Sequence, residues 1–121
     1  MTTRNEARHE LRDALRTAGI RAVDAPVGDP PYVLVGGGGI DNTHVPIGKA
    51  PATIRARCVA GAYTEAASQD TLDALVVSVL SVLRTLSSGW RLLPVGEDVI
   101  RDYGGGFYLT ADCAAVRMID I

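Results

Sequence analysis

The segment at residues 70–86, DTLDALVVSVLSVLRTL, is a predicted helix with almost no charged side. Its charged residues are Asp70, Asp73 and Arg84. A helix that is apolar along one stripe lies on a domain surface, whereas one that is apolar or small nearly all round is buried. A chain of 121 residues builds one core, which cannot surround a helix on every side. A second element or a neighbouring subunit is therefore expected to cover the far side of this helix.

The two sides of this helix differ in the size of their residues. Leucines and valines recur at helical spacing and form a predicted core stripe of Leu72, Leu75, Val76, Val79, Leu80, Leu83 and Leu86. The opposite side is small and uncharged, and consists of Ala74, Val77, Ser78, Ser81 and Thr85. Such a side suits close packing against the first helix of the chain, against a neighbouring subunit, or against both. The helix is expected to begin between Thr64 and Asp70 and to end at Ser88 and Gly89.

Residues 3–18 predict an earlier, amphipathic helix. Thr3 followed by Glu6 fits a capping box, and Gly19 fits the residue that ends a helix. Its predicted core stripe, spaced three or four residues apart, is Ala7, Leu11, Ala14, Leu15 and Ala18.

The rest of the chain predicts strands. Residues 53–60 alternate, with Ile54, Ala56, Cys58 and Ala60 on one side, which is typical of a half-buried strand. Further strands are predicted at 32–35, 90–95, 98–103 and 107–121, with a possible edge strand at 21–23, a hairpin turn at 104–106 and a bulge near 114–116. The predicted order is α-β-β-α-β-β-β. This indicates a single α+β domain with a mainly antiparallel sheet and both helices on one face.

Residues 36–51 predict an exposed, flexible loop because they combine four consecutive glycines with asparagine, aspartate and two prolines. The spacing of its glycines fits neither a Walker phosphate loop nor a dinucleotide-binding loop, since Gly48 and Lys49 are followed by Ala50. The loop also contains His44, which with Asp41 would be the starting point for a small enzyme or ligand-binding module.

Composition argues against several other classes of function. A net charge of −2 argues against a strong or sequence-specific nucleic-acid binder. No apolar run approaches the ~20 residues that span a bilayer, and the charged N-terminus does not resemble a secretory signal, so a cytoplasmic site of synthesis is expected. The spacing of the two histidines and two cysteines makes neither a zinc site nor a catalytic set. Cys58 and Cys113 are expected to be buried thiols, with a cross-strand disulfide as the alternative. Glu97, Asp98 and Asp102 are expected to form a turn and keep it soluble.

Charged residues form two edges beside the core stripe of the first helix. Arg4, Arg8, Arg12 and Arg16 repeat every four residues on one side, and Glu6, Glu10 and Asp13 lie on the other. One interpretation is a solvated amphipathic face. The other is that the basic edge of one subunit meets the acidic edge of the next, which favours ring closure. Arg55 and Arg57, on the outer side of their strand, are expected to pair with Asp112 across the sheet or to reach a partner.

The ordered features of the chain resemble a known family. An amphipathic helix leads to PYVLVG and a loop, then to IRARCVAGAYTEA, to the long helix and GWRLLPV, and finally to DYGGGFYLTADCAAVRMIDI. This succession, over nearly the whole chain, is similar to that of the tail terminator (tail completion) proteins of long-tailed bacteriophages, particularly those of actinobacterial phages. The resemblance lies in the order of these segments and in their residue types rather than in a short motif.

The resemblance implies a structural virion protein that is not an enzyme and needs no cofactor or metal. It implies a homo-hexameric ring at the junction of tail and neck, assembled in the host cytoplasm. Such a ring binds the end of the tail tube, stops its polymerisation and docks to the head connector. Another head–tail neck ring, such as a head-completion or connector protein, is the alternative within the same class. From the residues themselves, the candidate contacts are the charged edges of the first helix, Arg55, Arg57, Ala74, Ser78 and Ser81.

Overall fold

The computed structural model describes residues 2–40, 48–86, 89–103 and 105–120. The elements follow in the order α1 (Arg4–Thr17), β1 (Ala22–Val23), β2 (Tyr32–Ile40), β3 (Lys49–Ala62), α2 (Ala67–Arg84), β4 (Trp90–Leu92), β5 (Val99–Asp102) and β6 (Phe107–Asp120). Strands β1 and β2 are parallel, and the other pairings among the described residues are antiparallel. The α+β class is therefore confirmed. The order gains one element because the possible edge strand at residues 21–23 is present as β1.

Helix α1 begins and ends as its sequence predicts. The side chain of Thr3 accepts a hydrogen bond from the backbone N–H of Glu6 at 3.1 Å, which satisfies one of the free donors of the first turn. At the other end Gly19 has φ of +84°, a conformation that favours glycine. The N–H of Ile20 donates to the carbonyl of Leu15 at 3.0 Å and closes the helix.

The core stripe of α1 is shorter than predicted. Ala7, Leu11 and Leu15 are fully buried, and Ala14 packs partly buried at the margin of the core. Ala18, however, is exposed, because it is the C-cap residue and lies beyond the last turn of the helix that packs on the sheet.

Helix α2 begins within the predicted window and ends at Arg84, earlier than predicted. Thr85 turns its hydroxyl back onto the carbonyl of Val82 at 2.7 Å, and its backbone caps the helix. Of the predicted stop, Ser88 lies outside the described residues and Gly89 lies in a turn. Leu72, Val79 and Leu83 are buried, and the rest of the predicted stripe packs partly buried against the core, namely Leu75, Val76, Leu80 and Leu86.

Both helices share one core on one face of the sheet. The predicted inward side of β3 is confirmed, since Ile54, Ala56, Cys58 and Ala60 are all buried and belong to the same cluster as the buried residues of α1 and α2. On β6 the facing residues are also small, and Cys113 lies opposite Ala56 in the register. Small side chains on the central strands let the helices pack close to the sheet.

The glycine run does not begin a loop. Strand β2 continues through it to Ile40, and β3 already begins at Lys49, so the predicted loop at 36–51 is wrong at 36–40 and at 49–51. Pairing with β3 outweighs the poor strand propensity of glycine. A Cβ at Gly38 would lie 3.0 Å from Cβ of Thr53, so the packing there favours glycine. Asp41 and His44 lie outside the described residues.

The predicted bulge near residues 114–116 is also wrong. The register between β3 and β6 is continuous there, and it shifts instead on β3 between Val59 and Gly61. The slip in hydrophobic alternation has a different cause. Ala114 and Val116 are apolar although they lie on the face of the sheet away from the helices, which the structure leaves partly exposed.

The last strands form an interrupted edge beside β6. Both β4 and β5 are shorter than predicted, and between them the N–H groups of Leu93 and Gly96 still donate to carbonyls of β6 at 3.0 Å. The predicted hairpin turn follows β5, where the N–H of Tyr103 donates to the carbonyl of Gly106 at 3.3 Å. Gly104 lies outside the described residues. The sheet order is β1-β2-β3-β6-β4, with β5 also paired to β6.

Candidate interaction surfaces

An ion-pair cluster occupies the outer face of the sheet, away from the helices. Arg57 donates to both carboxylate oxygens of Asp112, at 2.7 and 3.1 Å, and to the hydroxyl of Tyr103 at 3.3 Å. Arg101 lies 3.7 Å from the same carboxylate. The cross-strand pairing of Arg57 with Asp112, one of the two predicted alternatives, is confirmed.

The cluster shifts the titration of both partners. Partial burial by itself raises the pKa of Asp112, but the hydrogen bonds from Arg57 and the nearby arginine charges outweigh it, so the pKa is lowered. The hydrogen bond to Asp112 is also the main cause that raises the pKa of Arg57. The pair therefore stays ionised across the physiological range and fixes this part of the outer face.

The arginines of α1 are engaged mainly with the β1–β2 side of the sheet. Arg4 donates to the carbonyl of Gly38, Arg12 to the carboxylate of Asp24 and Arg16 to the carbonyl of Ala22, each at 2.9 Å. The contact with Arg12 lowers the pKa of Asp24. Arg8 donates to Asn5 at 2.6 Å, while its Nε is buried with no hydrogen-bond partner in the structure. The predicted contact of this edge with a neighbouring subunit stays a prediction.

The acidic edge of α1 likewise makes contacts within the subunit. Glu10 accepts a hydrogen bond from the indole N–H of Trp90 at 2.9 Å and lies 3.6 Å from Arg117. The guanidinium of Arg117 stands 5.7 Å from the centre of the Trp90 ring. Glu6 takes part in the N-terminal cap and Asp13 pairs with the neighbouring arginine on α1. Glu10 thus ties α1 to β4 rather than projecting freely.

The small side of α2 is open to solvent, and α1 does not cover it. Ala74, Ser78 and Ser81 are exposed, and Val77 is 63% exposed. The hydroxyl of Ser78 donates to the carbonyl of Ala74 and that of Ser81 to the carbonyl of Val77, each at 3.0 Å. Because these hydroxyls are satisfied by their own helix, the surface loses little hydrogen bonding to water when another element packs on it.

Large exposed apolar side chains concentrate along the β4–β5 side of the sheet. Leu92, Val95, Val99 and Ile100 are between 38% and 52% exposed. At the end of this row Phe107 is 55% exposed and contacts the ring of Tyr63 edge-on, with ring centres 6.2 Å apart. Sequence reasoning missed this surface. The adjacent Val99 and Ile100 were its signal, because neighbours on a strand point to opposite faces and one core cannot bury both.

The concave sites on the described part of the subunit are surface grooves and clefts, and arginines line several of them. A groove of about 370 Å³ crosses the outer sheet face between Ile40, Thr53 and Val116, with Arg91 as its charged residue. Among the described residues no group of three or more His, Cys, Asp or Glu side chains could hold a metal ion. His9, at a half-buried position on α1, is the histidine that the described ranges include.

The two cysteines are free and buried, so the buried-thiol prediction holds and the disulfide alternative is not formed. A hydrogen bond with Cys113, together with burial, raises the pKa of Cys58. A thiol in this state is protonated and a poor nucleophile.

Comparison with known proteins does not assign the chain to a family. No protein-family model matches the chain, and no curated protein sequence matches it significantly. In the part of the chain that the structure describes, no helix is both long and apolar enough to cross a membrane.

Proposed function

We propose that this protein is a structural subunit of a bacteriophage virion that assembles into a homo-hexameric ring at the tail–neck junction. The ring caps the tail tube, stops its polymerisation and provides the joint to the head connector. The resemblance of the whole chain to tail terminators suggests this role. The structural observation that carries the assembly is the row of large exposed apolar side chains beside β6, at Leu92, Val95, Val99, Ile100 and Phe107. Exposed apolar patches of this kind are typical of protein–protein interfaces.

The position of the exposed surfaces supports a head-to-tail assembly. The apolar row lies on one edge of the sheet, whereas the arginines of α1 lie near the opposite edge, beside β1 and β2. Two different surfaces on one subunit form heterologous contacts, which close into a ring when the rotation between neighbours divides a full turn. The uncovered side of α2, with Ala74, Ser78 and Ser81, remains available for the tail tube or the connector.

The oligomer and its binding to the tube test the proposal directly. We expect the native mass of the purified protein to be six times 12.7 kDa, rising from smaller species as concentration increases. Added to polymerising tail tube protein, it should bind tube ends and arrest their growth. A protein that stays monomeric at high concentration, and leaves tube growth unchanged, would overturn the proposal.

Phage particles that lack the protein separate the two neck roles. Overlong tails are the result expected for a tail terminator, because nothing then stops tube polymerisation. Tails of normal length that fail to join heads would instead assign the protein to another ring of the neck.

A further inference from the structure

We infer that neighbouring subunits join through the two edges of the sheet, with the β5 edge of one copy adding to the β2 edge of a second copy. The inference rests on the proposed ring and names the contact that closes it. The contact is antiparallel, acidic and apolar on the β5 side, and basic on the β2 side.

Both edges are open in the described part of the subunit. Strand β1 pairs with β2 only at Val33 and Leu34, so residues 35–40 of β2 have no strand on that side among the described residues. At the far end of the sheet, β5 pairs with β6 on one side and has no described strand on the other. An open edge presents unpaired N–H and C=O groups that can pair with a strand from another chain.

The direction of the strands suits this contact. Strand β2 is antiparallel to β3, β3 to β6, and β6 to β5, so β5 runs opposite to β2 within one subunit. A second copy that is related to the first by rotation about an axis nearly parallel to the strands has its strands running in the same directions. Its β5 then meets β2 in an antiparallel arrangement, and the sheet continues from one subunit to the next.

The charges of the two edges are complementary. Glu97 and Asp98 are exposed immediately before β5, where Asp98 also accepts a hydrogen bond from Gln69 of α2 at 3.2 Å. Around the open part of β2, Arg4 and Arg8 from α1 line one cleft. A second cleft is lined by three arginines and one acidic residue, namely Arg8, Arg55, Arg57 and Asp24, so arginines are in excess there. The Nε of Arg8 is buried within the subunit, whereas its Nη2 donates to Asn5 at an exposed position, so the outer end of the guanidinium is the part that an acidic segment would contact.

The glycines of β2 leave space for the apolar part of β5. A methyl group added at Gly39 would meet no atom within 4 Å beyond its chain neighbours, and at Gly36 the nearest atom would be Nη2 of Arg55 at 3.9 Å. Side chains of a neighbouring strand can therefore lie beside Gly36 and Gly39, whereas Arg4 and Thr53 already occupy the space next to Gly37 and Gly38. Val99 and Ile100 point to opposite faces of their strand and are 41% and 52% exposed, so pairing beside glycines buries both. The open side of α2 offers a neighbour less apolar surface, because Val77 is the one large apolar residue on it.

Charge-reversal variants test the contact. The basic-edge variant carries Arg4→Glu and Arg8→Glu, and the acidic-edge variant carries Glu97→Lys and Asp98→Lys. Each should need about tenfold or more higher concentration to assemble, because each places like charges at every subunit boundary. Sedimentation velocity measures the assembly, and circular dichroism verifies that each variant is folded. A control for the acidic-edge variant, Glu65→Lys with Asp70→Lys, makes the same change in charge outside both edge strands and should assemble as the wild type does.

Mixing the two variants gives the sharpest result. In an alternating ring, each reversed edge meets the reversed edge of the other variant, and each natural edge meets a natural one. An equimolar mixture should therefore assemble although neither variant does so alone, and a chain that carries all four substitutions should also recover.

The outcomes separate this inference from the proposed function. Edge variants that assemble normally, while Ala74→Lys with Ser78→Lys abolishes the ring, would overturn the edge contact and leave the ring proposal intact. Edge variants that fail and are not restored by mixing would also overturn it. A wild-type protein that never assembles would overturn both.

Discussion

Replacement of Asp112 by asparagine should reveal how strongly the outer sheet face is fixed by its ion pair. Asp112 accepts two hydrogen bonds from Arg57 at 2.7 and 3.1 Å, and the two side chains are 26% and 12% exposed. Hydrogen bonds to charged groups contribute about 1.5–3 kcal/mol each, and an asparagine keeps one acceptor oxygen. We expect Asp112→Asn to lower the free energy of unfolding by about 2–3 kcal/mol at pH 7, or the melting temperature by roughly 10 °C.

The loss should depend on pH in one direction. The pKa of Asp112 is lower in the folded protein than in the unfolded chain. Its contribution to stability is therefore complete above the unfolded pKa of about 4 and disappears as the pH falls through the folded value. Asparagine does not titrate, so the difference in unfolding free energy between wild type and variant should shrink as the pH falls from about 5 to about 2.

Urea unfolding at pH 7 and at about pH 3 measures both effects. Arg57→Met and the double variant complete a cycle that isolates the pair from the loss of each side chain alone. The control is Asp29→Asn, because that carboxylate is 90% exposed and lies 3.7 Å from its arginine. A loss below about 0.5 kcal/mol at pH 7, or an equal loss at both pH values, would show that water screens the Asp112 pair and would refute the reasoning.

Other contacts give predictions of smaller scale. Trp90→Phe removes the N–H that reaches Glu10, and thermal unfolding should show a loss of about 1 kcal/mol that a Glu10→Ala background, which has no side-chain acceptor, largely removes. Gly37→Ala places a methyl group where the guanidinium of Arg4 lies, so it should cost less than about 1 kcal/mol, and chemical denaturation should show that it is not additive with Arg4→Ala. The Cys58 thiol, buried and with a raised pKa, should react with a thiol reagent only as fast as the protein opens, whereas fast labelling in the native state would contradict this burial.

The elements that sequence predicted well depend on short-range chemistry. The Thr3 cap and the Gly19 stop of α1 act within one turn of helix, and the alternation around Ile54 reports directly which side of β3 faces the core. Each of these signals is read within a few residues and needs no knowledge of what lies across the fold. The pairing of Arg57 with Asp112 is different, because it joins distant parts of the chain and depends on β6 lying beside β3.

The elements that sequence predicted poorly depend on a partner strand. Residues 36–40 have weak strand propensity, yet β3 pairs with Gly36, Gly37 and Ile40, with a shift of register between Gly37 and Ile40, and this pairing is not encoded in local composition. The apparent bulge had a similar origin. Ala114 and Val116 break the alternation because the outer sheet face tolerates apolar residues, and only the register with β3 shows that the strand itself is regular.

Helix α2 needs less cover than its composition indicated. Its open side is built of small residues, and Ser78 and Ser81 satisfy their hydroxyls on the backbone of the same helix, so exposure of this side leaves little large apolar surface in water. Val77 is the exception, and one exposed valine is ordinary for a protein surface. The case for assembly therefore rests more on the β5 edge, where Val99 and Ile100 expose large side chains and β5 pairs with no described strand other than β6. A charge-poor helix first suggested a neighbour, but the open edge of the sheet is where a neighbour would bury the most apolar surface.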